Sequence, residues 1–272
     1  MNEIDDYSAH RGGSSTLTWI GLIVGLVILT VAAVWLVNLG SLSPTADAPR
    51  VEAPAVAVEV SGEVTTGGGG QASTTVAPQT GEPASLSVRV DAAWSTRVSA
   101  TTGIPQRALE AYALADLVVD AEQPSCGIGW NTLAGIGAIE SNHGRHGGAV
   151  LGLDGYPSPA IRGPQLDGNG NAAIGDTDGG RWDGDTQWDR AVGPMQFIPD
   201  TWSRWGADGD GDGTTDPNQI DDAALAAARY LCHSGAMTST DGWRAAIFSY
   251  NHLDTYVNDV AAVANRYAGA AQ

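Results

Sequence analysis

The stretch Trp130-Asn-Thr-Leu-Ala-Gly-Ile-Gly-Ala-Ile-Glu140 decides the fold and carries the first candidate functional residue. No residue before the acid is charged, which predicts a buried helix with Glu140 at its polar end. A carboxyl in that position loses solvation, and desolvation favours its protonated form. A carboxyl that stays protonated near neutral pH can act as a general acid, with Ser141 and Asn142 orienting it by hydrogen bonds. The alternative for a single acid at a helix end is a solvated or capping residue.

Two short runs far downstream mix small, amide and aromatic residues in the same way: Gly193-Pro-Met-Gln-Phe197 and Phe248-Ser-Tyr-Asn251. The Gln196 amide offers a donor and an acceptor, which suits a sugar N-acetyl or hydroxyl group. We expect the Tyr250 phenol to lie near the acid and the Asn251 amide to bind the sugar. The alternative is a core tyrosine followed by an asparagine that caps a helix. Together with the acid, these runs indicate a site that cleaves a sugar chain.

His143 and His146 follow the acid closely and raise the alternative of a zinc hydrolase. Zinc proteases use the order His-Glu-x-x-His, which places both histidines on one helical face. Here the histidines lie in the glycine-rich run SNHGRHGG, which does not suit a rigid helical face. The sequence therefore disfavours zinc.

Helical patterns dominate residues 89–272, so we predict one mainly α-helical domain there. The predicted helices cover residues 105–122, 130–140, 199–205, 221–234, 243–250 and 255–267. Pro105 suits the start of a helix, and Gly235 suits the position after a last turn. The segment 149–191 is rich in Gly, Asp and Pro and is predicted to be a long loop, and loops of that length are usually functional.

A metal site is predicted at Asp208-Gly-Asp-Gly-Asp-Gly213, which matches the first six positions of an EF-hand loop. The predicted ligands are Asp208, Asp210, Asp212, the backbone carbonyl of Thr214, and Asp216. The twelfth position holds Gln219 instead of glutamate, so we expect either Asp221 or Asp222 to reach back, or the affinity to be low. We predict a structural Ca²⁺ because so many neighbouring carboxylates need neutralising. A solvated acidic loop is the alternative.

Residues 17–39, LTWIGLIVGLVILTVAAVWLVNL, contain no charge. About 20 apolar residues cross a bilayer as a helix, so this run is predicted to be an uncleaved, single-pass transmembrane anchor. A signal peptide is the alternative, but its apolar core of about 7–15 residues is shorter. Residues 1–16 are then a short cytoplasmic tail. Residues 40–88 are rich in Pro, Gly, Ser and Thr and are predicted to be a disordered linker that holds the domain 89–272 outside the cell membrane.

Cysteine usage and charge limit the remaining possibilities. Cys126 and Cys232 lack the spacing of a zinc site and are either two buried small side chains or one disulfide. We favour the disulfide, because the anchor independently places the domain in an oxidising compartment. The chain has 13 basic and 31 acidic side chains, which repel phosphates, so we expect no nucleic-acid partner. We expect no organic cofactor.

The chain resembles the lytic transglycosylases of peptidoglycan, most of all the membrane-bound B type (soluble lytic transglycosylase domain type 2) of high-GC Gram-positive bacteria. The resemblance covers about residues 102–268. It rests on the ordered motifs IPQRALEAY, AGIGAIESNHG, DGGRWDGDTQWDRAVGPMQFIPDTW, DGDGDGTTDP and FSYNH. It implies a lysozyme-like helical fold, peptidoglycan glycan strands as the substrate, and a domain that faces the cell wall.

The resemblance also implies roles for single residues. The Glu-Ser, Gly-x-Met-Gln-Phe and Tyr-Asn motifs of that family match this chain at positions 140–141, 193–197 and 250–251. Glu140 is then catalytic, and the implied substrate-binding residues are Ser141, Met195, Gln196, Tyr250 and Asn251. The calcium loop departs from the family pattern by a shorter spacing to Asp216-Pro217, which affects the last ligand.

The implied reaction uses one carboxyl. Glu140 protonates the oxygen that links N-acetylmuramic acid to N-acetylglucosamine and then deprotonates the C6 hydroxyl, which closes onto C1 as a 1,6-anhydro product. A hydrolytic muramidase is the first alternative and would need a second carboxylate, for which Asp183, Asp185 and Asp189 are candidates. A non-catalytic wall-binding protein with a decayed site is the second alternative, but the intact motifs argue against decay.

Overall fold

The structure is a computed structural model that describes residues 50–51, 55–57 and 88–272. The predicted tail 1–16, the predicted anchor 17–39 and most of the predicted linker 40–88 lie outside the described residues. Within the described ranges, no helix combines the length and the apolar character needed to cross a membrane.

Helices make up most of the described chain. In order they are α1 (Ala92–Thr102), α2 (Gln106–Glu122), α3 (Trp130–Ser141), α4 (Pro199–Trp205), α5 (Ile220–His233), α6 (Thr240–Tyr250) and α7 (Asp254–Ala270), with a 3-10 turn at His146–Gly148. The prediction of a mainly α-helical domain is confirmed. The six predicted helices correspond to α2 through α7, with bounds that differ by at most a few residues.

Helix α3 lies at the centre of the domain, and residues 130–137 are all buried. Two glycines allow other elements to approach it closely. A Cβ at Gly135 would lie 3.1 Å from the carbonyl oxygen of Val260 on α7, and a Cβ at Gly137 would overlap the hydroxyl of Tyr112 on α2. Glycine costs a helix about 1 kcal/mol relative to alanine. Here that cost is offset because α2 and α7 pack directly onto the α3 backbone.

Helix α1 was not predicted. Its sequence, AAWSTRVSATT, is rich in Ser and Thr and has little periodicity, but two local signals mark its ends. The side chain of Asp91 accepts a hydrogen bond from the N–H of Trp94 at 2.8 Å, and Gly103 follows the last turn with φ 75°. Trp94 packs edge-on against Trp130 of α3 with ring centroids 5.4 Å apart. This aromatic contact fixes α1 on the core.

The segment 149–191, predicted to be a loop, contains two short antiparallel strand pairs. Strand β3 (Val150–Leu151) pairs with β4 (Pro157–Ser158), and β5 (Arg162–Gln165) pairs with β6 (Arg190–Val192). The strands are two to four residues long and rich in Arg, Gly and Pro. Their sequences therefore lack the alternation of apolar and polar residues that predicts a strand. Strand β6 leads directly into the turn 193–197, which backbone hydrogen bonds between Val192 and Phe197 close at 2.8 and 3.0 Å.

Part of the predicted linker belongs to the folded domain. Strand β1 (Ala55–Ala57) pairs antiparallel with β2 (Val88–Val90). Arg50 forms an ion pair with Asp120 at 2.8 Å, and the N–H of Val51 donates to Asn131 Oδ1 at 3.2 Å. The folded domain therefore includes residues on the N-terminal side of position 89, and the disordered-linker interpretation does not hold for residues 50–51, 55–57 and 88.

A disulfide joins Cys126, in the loop between α2 and α3, to Cys232 at the end of α5, with Cα atoms 5.3 Å apart. Both residues are buried. The predicted pairing is confirmed.

Candidate active site

Glu140 occupies the last turn of α3, where its side chain is half-buried. Burial raises the pKa of its carboxyl to about 7, while a hydrogen bond from Tyr256 acts in the opposite direction. Because this pKa lies near neutrality, the group can exist as acid and as base under the same conditions. That property is the one expected of a general acid–base residue.

The phenol that contacts the acid is Tyr256, a residue that the sequence did not single out. Its hydroxyl donates to Glu140 Oε1 at 2.6 Å from the first turn of α7. Burial and the nearby carboxylate hold the pKa of Tyr256 well above its usual value, so the phenol stays a donor. The available signal was a tyrosine on the buried face of a predicted helix, which usually indicates only core packing.

Tyr250 lies near the acid but makes its hydrogen bond to the turn 193–197. Its hydroxyl donates to the carbonyl oxygen of Met195 at 2.7 Å, and its ring packs edge-on against Phe197 at 5.9 Å. Tyr250 therefore holds the turn 193–197 against α6, although Glu140 is near enough to help raise its pKa. Asn251 is half-buried and caps the end of α6, with its N–H bonded to Ile247.

Ser141 and Asn142 do not orient the acid as predicted. The Ser141 hydroxyl donates to the carbonyl oxygen of Pro194 at 2.6 Å and accepts from the N–H of Gly144 at 2.8 Å. The Asn142 side chain accepts from Arg145 at 3.0 Å. Ser141 thus ties the end of α3 to the turn 193–197, which brings two of the three predicted runs together.

Within the turn 193–197, the two predicted binding residues behave differently. Met195 is fully buried, so its side chain belongs to the core, and its carbonyl oxygen accepts from the Tyr250 hydroxyl. Gln196 has a left-handed backbone, with φ 52°, and remains half-buried. Its amide Nε2 donates to the carbonyl of Gly193 at 2.9 Å, which uses one of the two N–H donors of that amide.

The histidines do not form a metal site. His143 is buried, with Nδ1 3.3 Å from the hydroxyl of Tyr112 and Nε2 2.9 Å from the hydroxyl of Tyr267. His146 is exposed in the 3-10 turn. Among the described residues, the side-chain sets that converge as ligands for a metal contain only aspartates.

The candidate second carboxylates all have partners elsewhere. Asp189 is buried and accepts from the N–H and hydroxyl of Thr177. Asp183 accepts from two backbone N–H groups, at Asp185 and Arg190. Hydrogen bonds, first from Gln165, lower the pKa of Asp185 to about 2. Burial and Tyr256 account for the shifted pKa of Glu140, without a contribution from a second carboxylate in the described chain.

In the EF-hand-like loop, carboxylate oxygens of Asp208, Asp210 and Asp222 lie within 4.8 Å of one another. Asp222 comes from the first turn of α5 and accepts from the N–H groups of Gly209 at 2.6 Å and Asp216 at 2.8 Å. Burial raises its pKa to about 6. Three converging carboxylates suit a hard divalent cation such as Ca²⁺.

The other predicted carboxylate ligands are not among these three converging residues. Asp212 accepts from the N–H of Thr214, and Asp216 accepts from Asn218. Asp221 forms a two-pronged ion pair with Arg107. Of the two residues expected to reach back into the loop, the structure therefore places Asp222 there.

The loop that carries these aspartates packs against the candidate active site. A Cβ at Gly193 would overlap the carbonyl oxygen of Pro217, and Gly193 has φ 76°. Only glycine fits this contact without strain. The first residue of the turn that carries Gln196 is therefore held by the backbone of the aspartate-rich loop.

Comparison with known proteins finds a match for one part of this region. Residues 180–247 match the family model described as a transglycosylase SLT domain. The matched region includes Gln196 and the aspartate-rich loop, whereas Glu140 precedes it and Tyr256 follows it. The match confirms the prediction of an enzyme of the peptidoglycan lytic transglycosylase class.

Among solved structures, the chain is similar to the Escherichia coli lytic transglycosylase Slt35 in complex with bulgecin A. The identity is 14%, the alignment covers 65% of this chain and 78% of that chain, and the TM-score is 0.36. No curated protein matches the chain.

Proposed function

We propose that the protein cleaves the β-1,4 bond between N-acetylmuramic acid and N-acetylglucosamine in peptidoglycan, with Glu140 as the sole acid and base. The observation that carries the proposal is the half-buried carboxyl of Glu140, with a pKa near 7 and the phenol of Tyr256 as its donor. A carboxyl of this kind can give up a proton and take one back in the same reaction.

The proposed reaction proceeds in two proton transfers. Glu140 donates its proton to the bridging oxygen, and the bond from that oxygen to C1 of the muramic sugar breaks with its electron pair moving to the oxygen. Positive charge then develops at C1. The carboxylate of Glu140 next removes the proton of the C6 hydroxyl, and the C6 oxygen bonds to C1. The products are a free hydroxyl on the leaving sugar and a 1,6-anhydro end.

Ring closure is favoured over hydrolysis by the surroundings of Glu140. A hydrolase needs a second carboxylate, either to activate water or to attack C1. None of the candidates Asp183, Asp185 and Asp189 is among the groups that shift the pKa of Glu140, and each accepts hydrogen bonds elsewhere. Tyr256 stabilises the carboxylate of Glu140 between the two proton transfers, while the amides of Gln196 and Asn251 are the proposed contacts for the sugar.

The test is digestion of purified peptidoglycan by the wild-type protein and by Glu140→Gln, followed by mass spectrometry of the released fragments. We expect the wild type to release fragments that are lighter by one water than fragments with a reducing end. Glu140→Gln should release none, because an amide cannot donate the proton at neutral pH. Circular dichroism and thermal unfolding serve to check that the variant is folded.

Three outcomes separate the candidate functions. Fragments with reducing ends would show a muramidase instead. Binding to the wall without release by the wild type would show a non-catalytic protein. Equal release by the wild type and by folded Glu140→Gln would remove Glu140 from catalysis.

A structural Ca²⁺ is proposed for the EF-hand-like loop, held by Asp208, Asp210 and Asp222. The support is the convergence of their carboxylate oxygens and the raised pKa of Asp222, which a bound cation would reverse. The ion would join the loop to the start of α5 and stiffen the contact between Pro217 and Gly193. It is expected to contribute to stability and to the shape of the site rather than to the proton transfers.

The calcium proposal is tested by thermal unfolding and calorimetric titration with Ca²⁺. We expect Ca²⁺ to raise the melting temperature of the wild type, because a ligand that binds only the folded state stabilises it. Asp222→Asn should lose most of this increase, whereas Asp212→Asn, with the same change of charge in the same loop, should keep most of it. Equal responses from the two variants would show that the ligand set is wrong.

We also propose that residues 17–39 anchor the protein in the cell membrane with the enzyme domain facing the cell wall. The uncharged run supports a spanning helix. The disulfide between Cys126 and Cys232 supports an oxidising compartment. Protease treatment of intact cells is expected to degrade the domain from outside.

A further inference from the structure

The end of α3 has an unusual backbone. Asn142 and His143 follow the helix with φ 51° and 60°, so two consecutive residues other than glycine adopt the left-handed conformation. Such residues are uncommon and each carries a steric cost. The structure around them must therefore hold the chain in this shape. The N–H of His143 donates to the carbonyl of Gly137 at 2.8 Å, which turns the chain back along α3.

The side chain of His143 points into the protein rather than out of it. It is 1% exposed, and its two ring nitrogens contact hydroxyls on two different helices: Tyr112 of α2 at 3.3 Å and Tyr267 of α7 at 2.9 Å. Burial, followed by Arg145 and Arg266, lowers the pKa of His143 to about 3. The imidazole is therefore neutral whenever Glu140 titrates, and it offers one donor and one acceptor to the two phenols.

Helix α7 consequently meets the end of α3 at two points. Tyr256 bonds to Glu140 at 2.6 Å, and Tyr267 bonds to His143 at 2.9 Å. The two tyrosines are eleven residues apart, close to three helical turns, so they lie on the same face of α7. These two contacts add directional hydrogen bonds to the close packing of α7 on the α3 backbone at Gly135.

We propose that His143 is a positioning residue for Glu140: its hydrogen bonds to Tyr112 and Tyr267 hold the end of α3 so that the carboxyl lies buried against Tyr256. His143 does not reach the substrate, because it is buried beneath the site. The inference rests on the proposed catalytic role of Glu140. It adds a residue whose only influence on the reaction passes through that carboxyl.

Loss of the His143 hydrogen bonds is expected to change how activity depends on pH. Glu140 must be protonated at the start of the reaction, so activity declines as pH rises through its pKa. Burial is the largest cause of the raised pKa, ahead of the opposing bond from Tyr256. If the end of α3 loosens, water reaches the carboxyl and the pKa returns toward its ordinary value. The descending limb of the profile should then move to lower pH.

The test compares His143→Phe and Tyr267→Phe with the wild type, using soluble glycan fragments of uniform length from peptidoglycan. We expect kcat to decrease about tenfold with little change in KM, because a displaced catalytic group lowers rate more than binding. The descending limb of the pH–rate profile should move to lower pH by about half a pH unit or more. Tyr267→Phe keeps the ring and loses only the hydroxyl, so it tests the same bond if His143→Phe does not fold.

The matched control is Thr132→Val. Thr132 Oγ1 accepts from Trp243 Nε1 at 3.1 Å at the other end of α3, so this variant also loses one buried hydrogen bond from the same helix. Thr132→Val should lower the melting temperature as the test variants do. It should keep the wild-type kcat and the wild-type position of the descending limb of the pH–rate profile. A merely structural role for His143 predicts the same pattern in all three variants, and that result would overturn the proposal.

Glu140→Gln, measured in the same assay, separates the two hypotheses. If Glu140→Gln is inactive and the His143 variants keep the wild-type limb, only the positioning role is overturned. If folded Glu140→Gln is as active as the wild type, the proposed function and the positioning role are both overturned.

Discussion

At the residue scale, the proposed chemistry depends on one pair of side chains, the carboxyl of Glu140 and the phenol of Tyr256. Glu140 owes its raised pKa to the protein around it, and Tyr256 limits that rise by donating to the carboxylate. Desolvation makes the group a stronger candidate for general acid, whereas the phenol makes the anion easier to form. In the proposed mechanism, the balance between these two effects sets the pH range of activity.

Replacing Tyr256 by phenylalanine should move the descending limb of the pH–rate profile to higher pH. The hydrogen bond stabilises the carboxylate, so its loss raises the pKa of Glu140, by about one pH unit for a bond to a charged group. The shift has the opposite sign to the one expected for His143→Phe. A limb that stays in place, or moves to lower pH, would contradict the assigned role of this bond.

The acid itself could be predicted from sequence, but its partner could not. Glu140 stands out because an apolar helix precedes it, and this pattern is local. Tyr256 contacts it across 116 positions of the chain, and nothing near Tyr256 in sequence indicates that contact. Ser141 shows the same limit, since its bond to Pro194 depends on how a distant turn docks.

At the scale of secondary-structure elements, the turn 193–197 is the point where separate parts of the site are joined. Ser141 of α3 bonds to Pro194, Tyr250 of α6 bonds to Met195, and the aspartate-rich loop packs on Gly193. Helix α3, helix α6 and the aspartate-rich loop thus hold the five residues of the turn 193–197 in place. The position of Gln196 depends on all three.

Gly193→Ala should destabilise the protein by at least about 2 kcal/mol and abolish activity, because its Cβ would overlap Pro217 and the backbone has a left-handed φ. The matched control is Gly147→Ala, which also has a left-handed φ, of 64°, but open space around its Cβ. It should cost only about 1 kcal/mol. Urea unfolding and the fragment assay measure both effects. Similar losses from the two variants would show that the contact with Pro217 does not matter.

Sequence predicted the long helices well, because apolar runs and end signals such as Pro199 and Gly235 are local. It did not predict strands β3 to β6, since residues such as Arg162 and Arg190 pair through backbone hydrogen bonds that leave no apolar pattern. Helix α1 was missed for a related reason, although Asp91 was an available capping signal.

At the scale of the whole molecule, the domain extends on its N-terminal side beyond the boundary that composition suggested. Arg50 lies 3.8 Å from Asp116, which is 1% exposed, and 2.8 Å from Asp120. A charged side chain from the supposed linker thus lies over a buried carboxylate of α2. Composition alone cannot show such docking, because the surrounding residues are rich in Pro, Gly, Ser and Thr.

A chain that begins at residue 58 should therefore be less stable than one that begins at residue 50, by about 1–3 kcal/mol. The shorter chain loses the ion pairs of Arg50 with Asp116 and Asp120, the bond from Val51 and the β1 strand. Urea unfolding of the two forms measures the difference. Equal midpoints would mean that the segment 50–57 contributes nothing to the fold.

The bond between Cys126 and Cys232 has a consequence for where in the cell this domain reaches its full stability. It closes a loop of 106 residues, and in the chain-entropy account such a cross-link contributes about 5 kcal/mol, a large share of the stability of a typical domain. Cytosolic reductants prevent that bond. A chain exported as proposed would thus be less stable before export, and would gain the stability of the cross-link only in the oxidising compartment.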